Sequence, residues 1–333
     1  MAQSYAYRGS EGLIDAMAGR LEAAGLARAS EVAAADVVIT FCTSQGALED
    51  LYFGEGGVIQ SAMPGALLID LSATTPSFAR EMSAVATVSD LALVEAPLVV
   101  ADVAAADALS RENAACFAAG EADAVTRARP VLEALFGQVS EEGAPGSAQL
   151  ARAAYTLQLA AQVIGAVEAD ALFRATRRSV SCGNAGEGER PGGASPAAAQ
   201  VLEAVAAERF TGAYNAEMLM SALSAAIMAA DDVELILPQA EAALHLLELL
   251  AVVGGADKSP AALSLVYGDE SECAKHGLDW TRAEEVYGAG KHDGEDDYAF
   301  EDDGCGCGHD HEHRYDDYEG YDLDDPYGTF SNN

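Results

Sequence analysis

The sequence is almost without lysine. Its 333 residues include 18 Lys and Arg against 54 Asp and Glu, a formal net charge of −36. Three of the basic residues are lysines, and the first of them is Lys258. Chemistry that needs a primary amine is therefore excluded from the first 257 residues. A field of this sign repels phosphate backbones and anionic lipid surfaces, so neither nucleic acid nor a membrane is expected as a partner.

Cysteine is also scarce, and long apolar segments are lacking. Four of the six cysteines are isolated, a usage typical of buried thiols in a reducing compartment. The N-terminal residues have no basic, apolar leader pattern, and no uninterrupted apolar run approaches the roughly 18 residues of a membrane span. The composition predicts a cytoplasmic globular protein.

Short apolar runs alternate with helical patterns in the first half of the chain. Runs at 35–42, 66–71 and 91–95 are typical of buried parallel strands. Helical segments lie between and around them, at 11–25, 46–52, 77–86 and 123–136. This alternation predicts an α/β, Rossmann-like parallel sheet, whose ligand crevice lies at the carboxyl ends of its strands.

The second half is helical and ends in an acidic segment. A helical period from Ser147 to about Arg178 predicts one long helix, followed by helices near 196–209, 215–230 and 238–252. The last fifty residues carry seventeen acids against Lys291 and Arg314, too polar to bury a core. We predict a Rossmann-like domain (1–142), an all-α domain (143–283) and a disordered acidic tail (284–333).

Six motifs resemble those of the β-hydroxyacid dehydrogenase family, which includes 3-hydroxyisobutyrate and 6-phosphogluconate dehydrogenases. The resemblance implies an N-terminal NAD(P)-binding domain, a helical C-terminal domain that forms a homodimer, and a small-molecule substrate. The motifs are Ala35-Asp-Val-Val-Ile, Gly54-Glu-Gly-Gly-Val-Ile, Pro64-Gly-Ala-Leu-Leu-Ile-Asp-Leu-Ser72, Glu95-Ala-Pro97, Gly143-Ala-Pro-Gly146 and Phe210-Thr-Gly212.

The family's opening strand and its Gly-x-Gly-x-x-Gly turn are not found in the sequence. The segment from Tyr5 to Ser10 instead resembles the family's second strand and the loop after it. The first βα unit is therefore expected to be missing, which would leave the neighbouring strands partly unpaired at a cost that rivals the stability of a domain. Either the strands re-pair across the gap, or the true start codon lies upstream.

The resemblance assigns candidate cofactor residues. Arg8 takes the place of an arginine that binds the 2′-phosphate of NADP, a role that suits a planar guanidinium, although an exposed loop arginine is the alternative. Ser72 keeps a hydroxyl near the nicotinamide, or else caps a helix or turn. The remaining candidates for NADP or NAD are Ser10 and the crevice residues Phe41, Cys42 and Thr43, of which Cys42 has a packing role as its alternative.

The implied substrate side departs from the family. Pro97, Leu98 and Val99 stand in a loop where relatives read Ala-Pro-Val-Ser-Gly-Gly, so an anionic substrate loses its cradle. The family's catalytic lysine corresponds to Arg152, which stays protonated and cannot shuttle a proton. The assisting asparagine corresponds to Tyr155, a replacement acid or simply a core aromatic. The family's second lysine corresponds to Ser221.

The acidic tail carries a separate motif with metal-ligand chemistry. Five soft or borderline ligands recur at every second residue, a spacing that lets an extended backbone aim them at one ion such as Zn²⁺ or Ni²⁺. They are Cys305, Cys307, His309, His311 and His313.

Two functions from different classes remain open. One is an NAD(P)-dependent oxidoreductase related to 3-hydroxyisobutyrate dehydrogenase, acting on a less anionic hydroxyacid-, carbonyl- or imine-like substrate. The other is a catalytically inactive dehydrogenase-like scaffold whose tail binds a metal ion or a partner.

Overall fold

A computed structural model describes residues 3–180 and 192–288. Its first part alternates strands and helices as the apolar runs predict. The elements are β1 (Ser4–Gly9), α1 (Glu11–Ala23), β2 (Ala27–Arg28), a 3-10 turn (Val32–Ala34), β3 (Val37–Phe41), α2 (Gln45–Phe53), α3 (Val58–Ser61), β4 (Leu67–Asp70), α4 (Pro76–Val88), β5 (Ala92–Glu95), β6 (Leu98–Val100), β7 (Ala114–Gly120), α5 (Ala122–Leu135) and β8 (Gln138–Gly143).

These strands form one sheet in the order β2-β1-β3-β4-β5-β7-β6, with β8 paired to β7. Strands β1 to β5 are parallel to one another, while β7 runs antiparallel to β5 and β6. β3 and β4 are buried along their whole length, as expected for strands covered on both faces. Helices α1 and α5 pack on one face, and α2, α3 and α4 on the other.

The prediction that the first βα unit is missing is wrong. β1 pairs in parallel with β3 from Tyr5 opposite Val37 to Gly9 opposite Phe41, and α1 follows it. The segment that resembles the family's second strand therefore fills the position beside β3. This re-pairing satisfies the backbone groups that a gap would have left open, which is its physical reason.

The second part of the chain is all-helical. The long helix predicted from Ser147 is present and, at 34 residues, about 51 Å long. The predicted boundary near 142 falls at the end of β8. The elements are α6 (Ser147–Val180), α7 (Pro196–Ala206), α8 (Ala216–Asp231), α9 (Pro238–Leu250), a π-helical turn (Ala251–Gly255), a 3-10 turn (Pro260–Ala262), α10 (Leu263–Val266), α11 (Glu270–Lys275) and α12 (Thr281–Gly288).

Both parts share one apolar core. Side chains of α1, α5 and β7 belong to the same buried cluster as those of α6, α8 and α9. Helix α12 ends at Gly288, so the acidic segment that begins at 284 opens with a helical turn. In the described part of the chain no single helix is long and apolar enough to cross a membrane; Pro238–Gly255 and Pro260–Val266 meet the length and composition only together, at a 90° bend.

Candidate functional site

The sheet has a topological switch point between β1 and β3. On one side of this point, β1 is followed through α1 by β2. On the other side, β3, β4 and β5 follow one another in the sheet. The helices that connect these three strands, α2 and α4, pack on the face of the sheet opposite to α1. Ligands of open α/β sheets bind outside the carboxyl ends of strands at such a point. The candidate site is therefore the carboxyl edge of β1, β3, β4 and β5.

The turn from β1 into α1 approaches β3 closely. The Ser10 amide donates to the Phe41 carbonyl oxygen at 2.9 Å. Gly9 has φ +120°, and a Cβ there would lie 1.9 Å from that same oxygen. Gly12, in the first turn of α1, has open space around it. Glycines at these two positions allow the helix N-terminus to begin directly at the crevice, where backbone N–H groups favour an anion.

A buried polar cluster lies at the end of β4. Asp70 Oδ1 accepts hydrogen bonds from Thr40 Oγ1 at 2.9 Å and from Ser72 Oγ at 2.7 Å. Ser72 Oγ in turn accepts from the Cys42 amide at 3.0 Å. Burial raises the pKa of Asp70 from 3.8 to about 6, against these hydrogen bonds, which lower it. Ser72, predicted as a cofactor residue, is thus fully buried and fixes the ends of two strands.

Glu95 ends the neighbouring strand β5, opposite Asp70 in the register. Its Oε1 accepts from the Gly146 amide at 2.7 Å and the Ala148 amide at 3.1 Å, at the start of α6. Burial raises its pKa from 4.5 to about 7, while these amides lower it. Its other oxygen, Oε2, has no hydrogen-bond partner among the described residues.

Arg152, the residue at the family's lysine position, is fully buried. One terminal nitrogen donates to the Thr74 carbonyl oxygen at 3.1 Å, and the other donates to the Ala222 carbonyl oxygen in α8. Burial lowers its pKa to about 10, while Tyr214 and Glu95 raise it. The guanidinium therefore stays charged and joins the loop after β4 to the helical part.

Tyr155 packs beside the core instead of pointing into an open cleft. Its hydroxyl donates to the Val100 carbonyl oxygen at 2.7 Å, and its ring lies edge-on to Phe117 with 6.3 Å between centroids. Burial raises its pKa. This environment matches the core-aromatic alternative and makes release of its proton harder.

The predicted substrate residues are divided between two elements. Pro97, Leu98 and Val99 are buried, and Leu98 pairs with Cys116 of β7. Leu98 and Val100 belong to the apolar core. Ser221 lies half-buried on α8. The bulky residues that replace the family's hydroxyl and glycines thus pack in the interior.

The predicted crevice residues lie where β3 ends. Phe41 and Cys42 are buried, and burial raises the pKa of the Cys42 thiol to about 11. Thr43 is half-buried, and its hydroxyl donates to Glu217 Oε1 of α8 at 2.9 Å. The packing role is thus the one that the geometry supports for Cys42.

Arg8 lies beside a cavity of about 400 Å³ on the face covered by α2 and α3. Three acidic residues, Glu31, Asp50 and Glu55, line the same cavity. One guanidinium among three carboxylates leaves an acidic environment, which disfavours a phosphate and suits a hydroxyl-rich group.

The described residues hold no group of three or more His, Cys, Asp or Glu that could bind a metal ion. The predicted ligands Cys305, Cys307, His309, His311 and His313 lie outside the described residues.

Several residues at this edge are not predicted from the sequence: Asp70, Glu95, Gln149 and Glu217. Gln149 is buried. Its Oε1 accepts a hydrogen bond from the Thr74 amide at 3.1 Å, and its Nε2 donates to the Ser72 carbonyl oxygen at 3.0 Å. A signal for the carboxylates is present, since each of Asp70 and Glu95 closes a predicted parallel strand.

A mostly parallel sheet with a polar carboxyl edge, followed by an all-α part, defines the chain as a two-part Rossmann-type protein. Residues 7–143 match the family described as the NAD binding domain of 6-phosphogluconate dehydrogenase. Over these residues the chain is a distant member of the β-hydroxyacid dehydrogenase and 6-phosphogluconate dehydrogenase NAD-binding family. The resemblance seen in the motifs is therefore confirmed.

Curated relatives match the N-terminal part. The NAD-dependent L-serine dehydrogenase of Pseudomonas aeruginosa is 32% identical over 141 residues, which cover 42% of this chain and 46% of that protein. The 3-hydroxyisobutyrate dehydrogenase of the same organism is 32% identical over 139 residues, 41% of this chain and 45% of that protein. The matched segment thus spans less than half the length of these relatives.

Solved structures extend the likeness to the helical part. A 3-hydroxyisobutyrate dehydrogenase from Salmonella typhimurium superimposes with a TM-score of 0.62 over 79% of this chain and 99% of that one, at 20% identity. The Mycobacterium tuberculosis 3-hydroxyisobutyrate dehydrogenase with L-serine gives 0.60 over 81% and 100%, at 23% identity. These likenesses show that the two-part fold is shared.

Proposed function

We propose that the protein is an NAD(P)-dependent oxidoreductase related to 3-hydroxyisobutyrate dehydrogenase. The observation that carries the proposal is the carboxyl edge of β1, β3, β4 and β5, where a glycine turn, a helix N-terminus and buried polar side chains meet the all-α part. Family membership of residues 7–143 supports it.

The residues present fit a dinucleotide in part. Gly9 and Gly12 open the turn, and the first amides of α1 together with Ser10 would face the phosphates. Thr43 would border the nicotinamide end, whereas Ser72 is fully buried and fixes the strand ends there. A bound reduced nicotinamide would supply a hydride to a carbonyl or imine carbon, and the residues of the crevice would orient it and exclude water. The acidic cavity beside Arg8 favours NAD over NADP.

The proton chemistry differs from that of the relatives. Arg152 holds a fixed charge and both of its terminal nitrogens are bonded to carbonyl oxygens, so it positions the loop after β4 and moves no proton. With Leu98 and Val100 in the core, the edge offers no carboxylate cradle of the family's kind. We therefore propose a substrate less anionic than a hydroxyacid, with a carbonyl or imine group.

The test is a titration of the purified chain with NADH and with NADPH, followed by nucleotide fluorescence. We expect NADH to bind at micromolar to millimolar concentration and NADPH to bind more weakly. Turnover is then assayed with 3-hydroxyisobutyrate, L-serine and neutral carbonyl compounds. If neither nucleotide binds at millimolar concentration, the oxidoreductase proposal is wrong.

A second candidate is a dehydrogenase-like scaffold without turnover whose tail binds a metal. This candidate is favoured by the burial of Arg152, because the position of the family's proton donor then holds no group that can transfer a proton. Isothermal titration with Zn²⁺ and Ni²⁺ compares the full chain with a variant of it in which Cys305, Cys307, His309, His311 and His313 are changed to Ser or Ala. Equal uptake by both would remove the tail as the metal site.

A further inference from the structure

Helix α8 lies along the carboxyl edge of β3 and β4. Near its start, Glu217 Oε1 accepts from the Thr43 hydroxyl at 2.9 Å, just beyond β3. Just beyond its last residue, Asp232 Oδ2 accepts from the Ser77 hydroxyl at 2.5 Å, in the first turn of α4. Because the two contacts are fifteen residues apart on one helix, they bracket about 22 Å of the edge.

The middle of the same helix is held by Arg152 of α6. Arg152 donates to the Ala222 carbonyl oxygen of α8 and to the Thr74 carbonyl oxygen of the loop after β4. This central contact is fully buried, whereas Ser77 and Asp232 are exposed and Thr43 and Glu217 are half-buried. Each end of α8 thus makes one side-chain hydrogen bond to the sheet side, within reach of water, and its centre is held by a buried cation. The first amides of α8 are also bonded within the helical part, from Ala216 to the Lys258 carbonyl oxygen and from Glu217 to the Ala256 carbonyl oxygen.

Both end contacts have the same chemistry: a hydroxyl on the sheet side donates to a carboxylate, either within α8 or at its C-cap. Thr43 is a predicted crevice residue, so its hydroxyl is engaged by Glu217 at the place where a nucleotide would lie. A polyanion entering there meets the Glu217 carboxylate and must displace it from the Thr43 hydroxyl.

We propose that α8 is a strap across the nucleotide crevice, closed by the Thr43–Glu217 and Ser77–Asp232 hydrogen bonds, and that these bonds open before a nucleotide enters. The proposal rests on the proposed nucleotide-binding function for its consequence, but not for the strap itself. The closed form withholds the crevice, so apparent affinity is reduced by the fraction of molecules that are closed.

The experiment compares three full-length proteins. The parent chain is set beside Glu217→Ala/Asp232→Ala, which removes both acceptors, and beside Glu217→Gln/Asp232→Asn, which removes the same two charges but keeps an acceptor oxygen at each position. The amide pair is the matched control, because loss of a negative charge at the N-terminus of α8 acts equally in both variants.

Two readouts separate the strap from the function. Hydrogen exchange of the amides at 43–48 and 216–221, without nucleotide, is expected to be about tenfold faster in the alanine pair and close to the parent in the amide pair. The dissociation constant for NADH is measured by nucleotide fluorescence. Relative to the parent, we expect it to fall severalfold more in the alanine pair than in the amide pair.

Each outcome has one meaning. Equal exchange in all three proteins would overturn the strap, whatever binds. Faster exchange in the alanine pair with no NADH or NADPH bound by any protein keeps the strap and removes the proposed function. Faster exchange with equal NADH affinity in the two variants overturns the claim that the bonds gate the crevice.

Discussion

At the scale of single residues, Arg152 is the most informative substitution at the candidate site. We expect Arg152→Met to lower the free energy of unfolding by about 2–5 kcal/mol, because the buried Thr74 and Ala222 carbonyl oxygens lose their donor. Urea unfolding followed by circular dichroism measures it. Arg129→Met is the matched control: Arg129 is half-exposed and pairs with Glu141 on the surface, so its loss should change stability by less than about 1 kcal/mol.

Glu95 should make stability depend on pH in a defined window. Its pKa is raised from 4.5 to about 7 in the folded chain, so the ionised form is disfavoured by folding. Between these values the folded state binds a proton that the unfolded state does not. Stability therefore rises as pH falls from about 7 towards 4.5, by about 3 kcal/mol from this group.

The measurement is the difference between parent and Glu95→Gln in urea unfolding at pH 5, 6, 7 and 8. Glutamine keeps an acceptor for the Gly146 and Ala148 amides but does not titrate. We expect the variant to gain stability relative to the parent above pH 7 and to lose this gain by pH 5. Parallel curves for the two proteins would show that Glu95 does not titrate in this range.

The acidic cavity beside Arg8 yields a prediction on cofactor choice. Asp50→Asn/Glu55→Gln removes two of the three carboxylates that share the cavity with Arg8. We expect NADPH to bind about tenfold tighter in this variant, with a smaller effect on NADH, because the 2′-phosphate meets less repulsion. Fluorescence titrations measure both constants. Equal improvement for the two nucleotides would contradict a contact with the 2′-phosphate.

At the scale of elements, substitutions of Gly9 and Gly12 test the turn from β1 into α1. We expect Gly9→Ala to destabilise the fold by about 2–4 kcal/mol, because Gly9 has φ +120° and its Cβ would meet the Phe41 carbonyl oxygen at 1.9 Å. Gly12→Ala should stabilise by about 0.5–1 kcal/mol, since Gly12 lies in α1 with open space around it. Thermal unfolding of both variants measures the contrast.

Elements with a regular apolar pattern are the ones the sequence predicts. The runs at 35–42 and 66–71 correspond to β3 and β4, and the helical patterns to α1, α2, α4 and α5, with ends shifted by only a few residues. β7 and β8 are not predicted, because β7 is rich in small residues and β8 is polar and half-exposed. Pairing of β1 with β3 depends on contacts across the sheet that periodicity does not reveal.

The long helix shows why part of the site is hidden in the sequence. The helical period that begins at Ser147 has Leu150 and Ala154 in its apolar stripe, yet Leu150 is 63% exposed and Ala154 is exposed in α6. The buried face at the start of α6 carries Gln149, Arg152 and Thr156 instead. These polar groups can be buried because backbone groups of the loop after β4 and of α8 supply partners for Gln149 and Arg152. Such partners are known only once the tertiary structure is known.

At the scale of the whole molecule, we propose a homodimer through the loop between α8 and α9. Val233 and Ile236 are 70% and 75% exposed, and Ile236 borders an apolar groove between α6 and α9. An exposed apolar segment beside an apolar groove suits a two-fold interface in which each copy inserts the segment of the other.

This dimer should respond to charge in two ways. Ile236→Asp is expected to raise the dissociation constant at least about 30-fold, because an unpaired carboxylate enters an apolar contact. Val88→Asp is the matched control, since Val88 is 90% exposed at the end of α4 and its substitution should leave association unchanged.

Added salt should tighten association, because two chains of net charge −36 repel each other and salt screens that repulsion. Sedimentation equilibrium at low and high salt measures both effects, and a parent chain that stays monomeric at high salt would contradict the proposed interface.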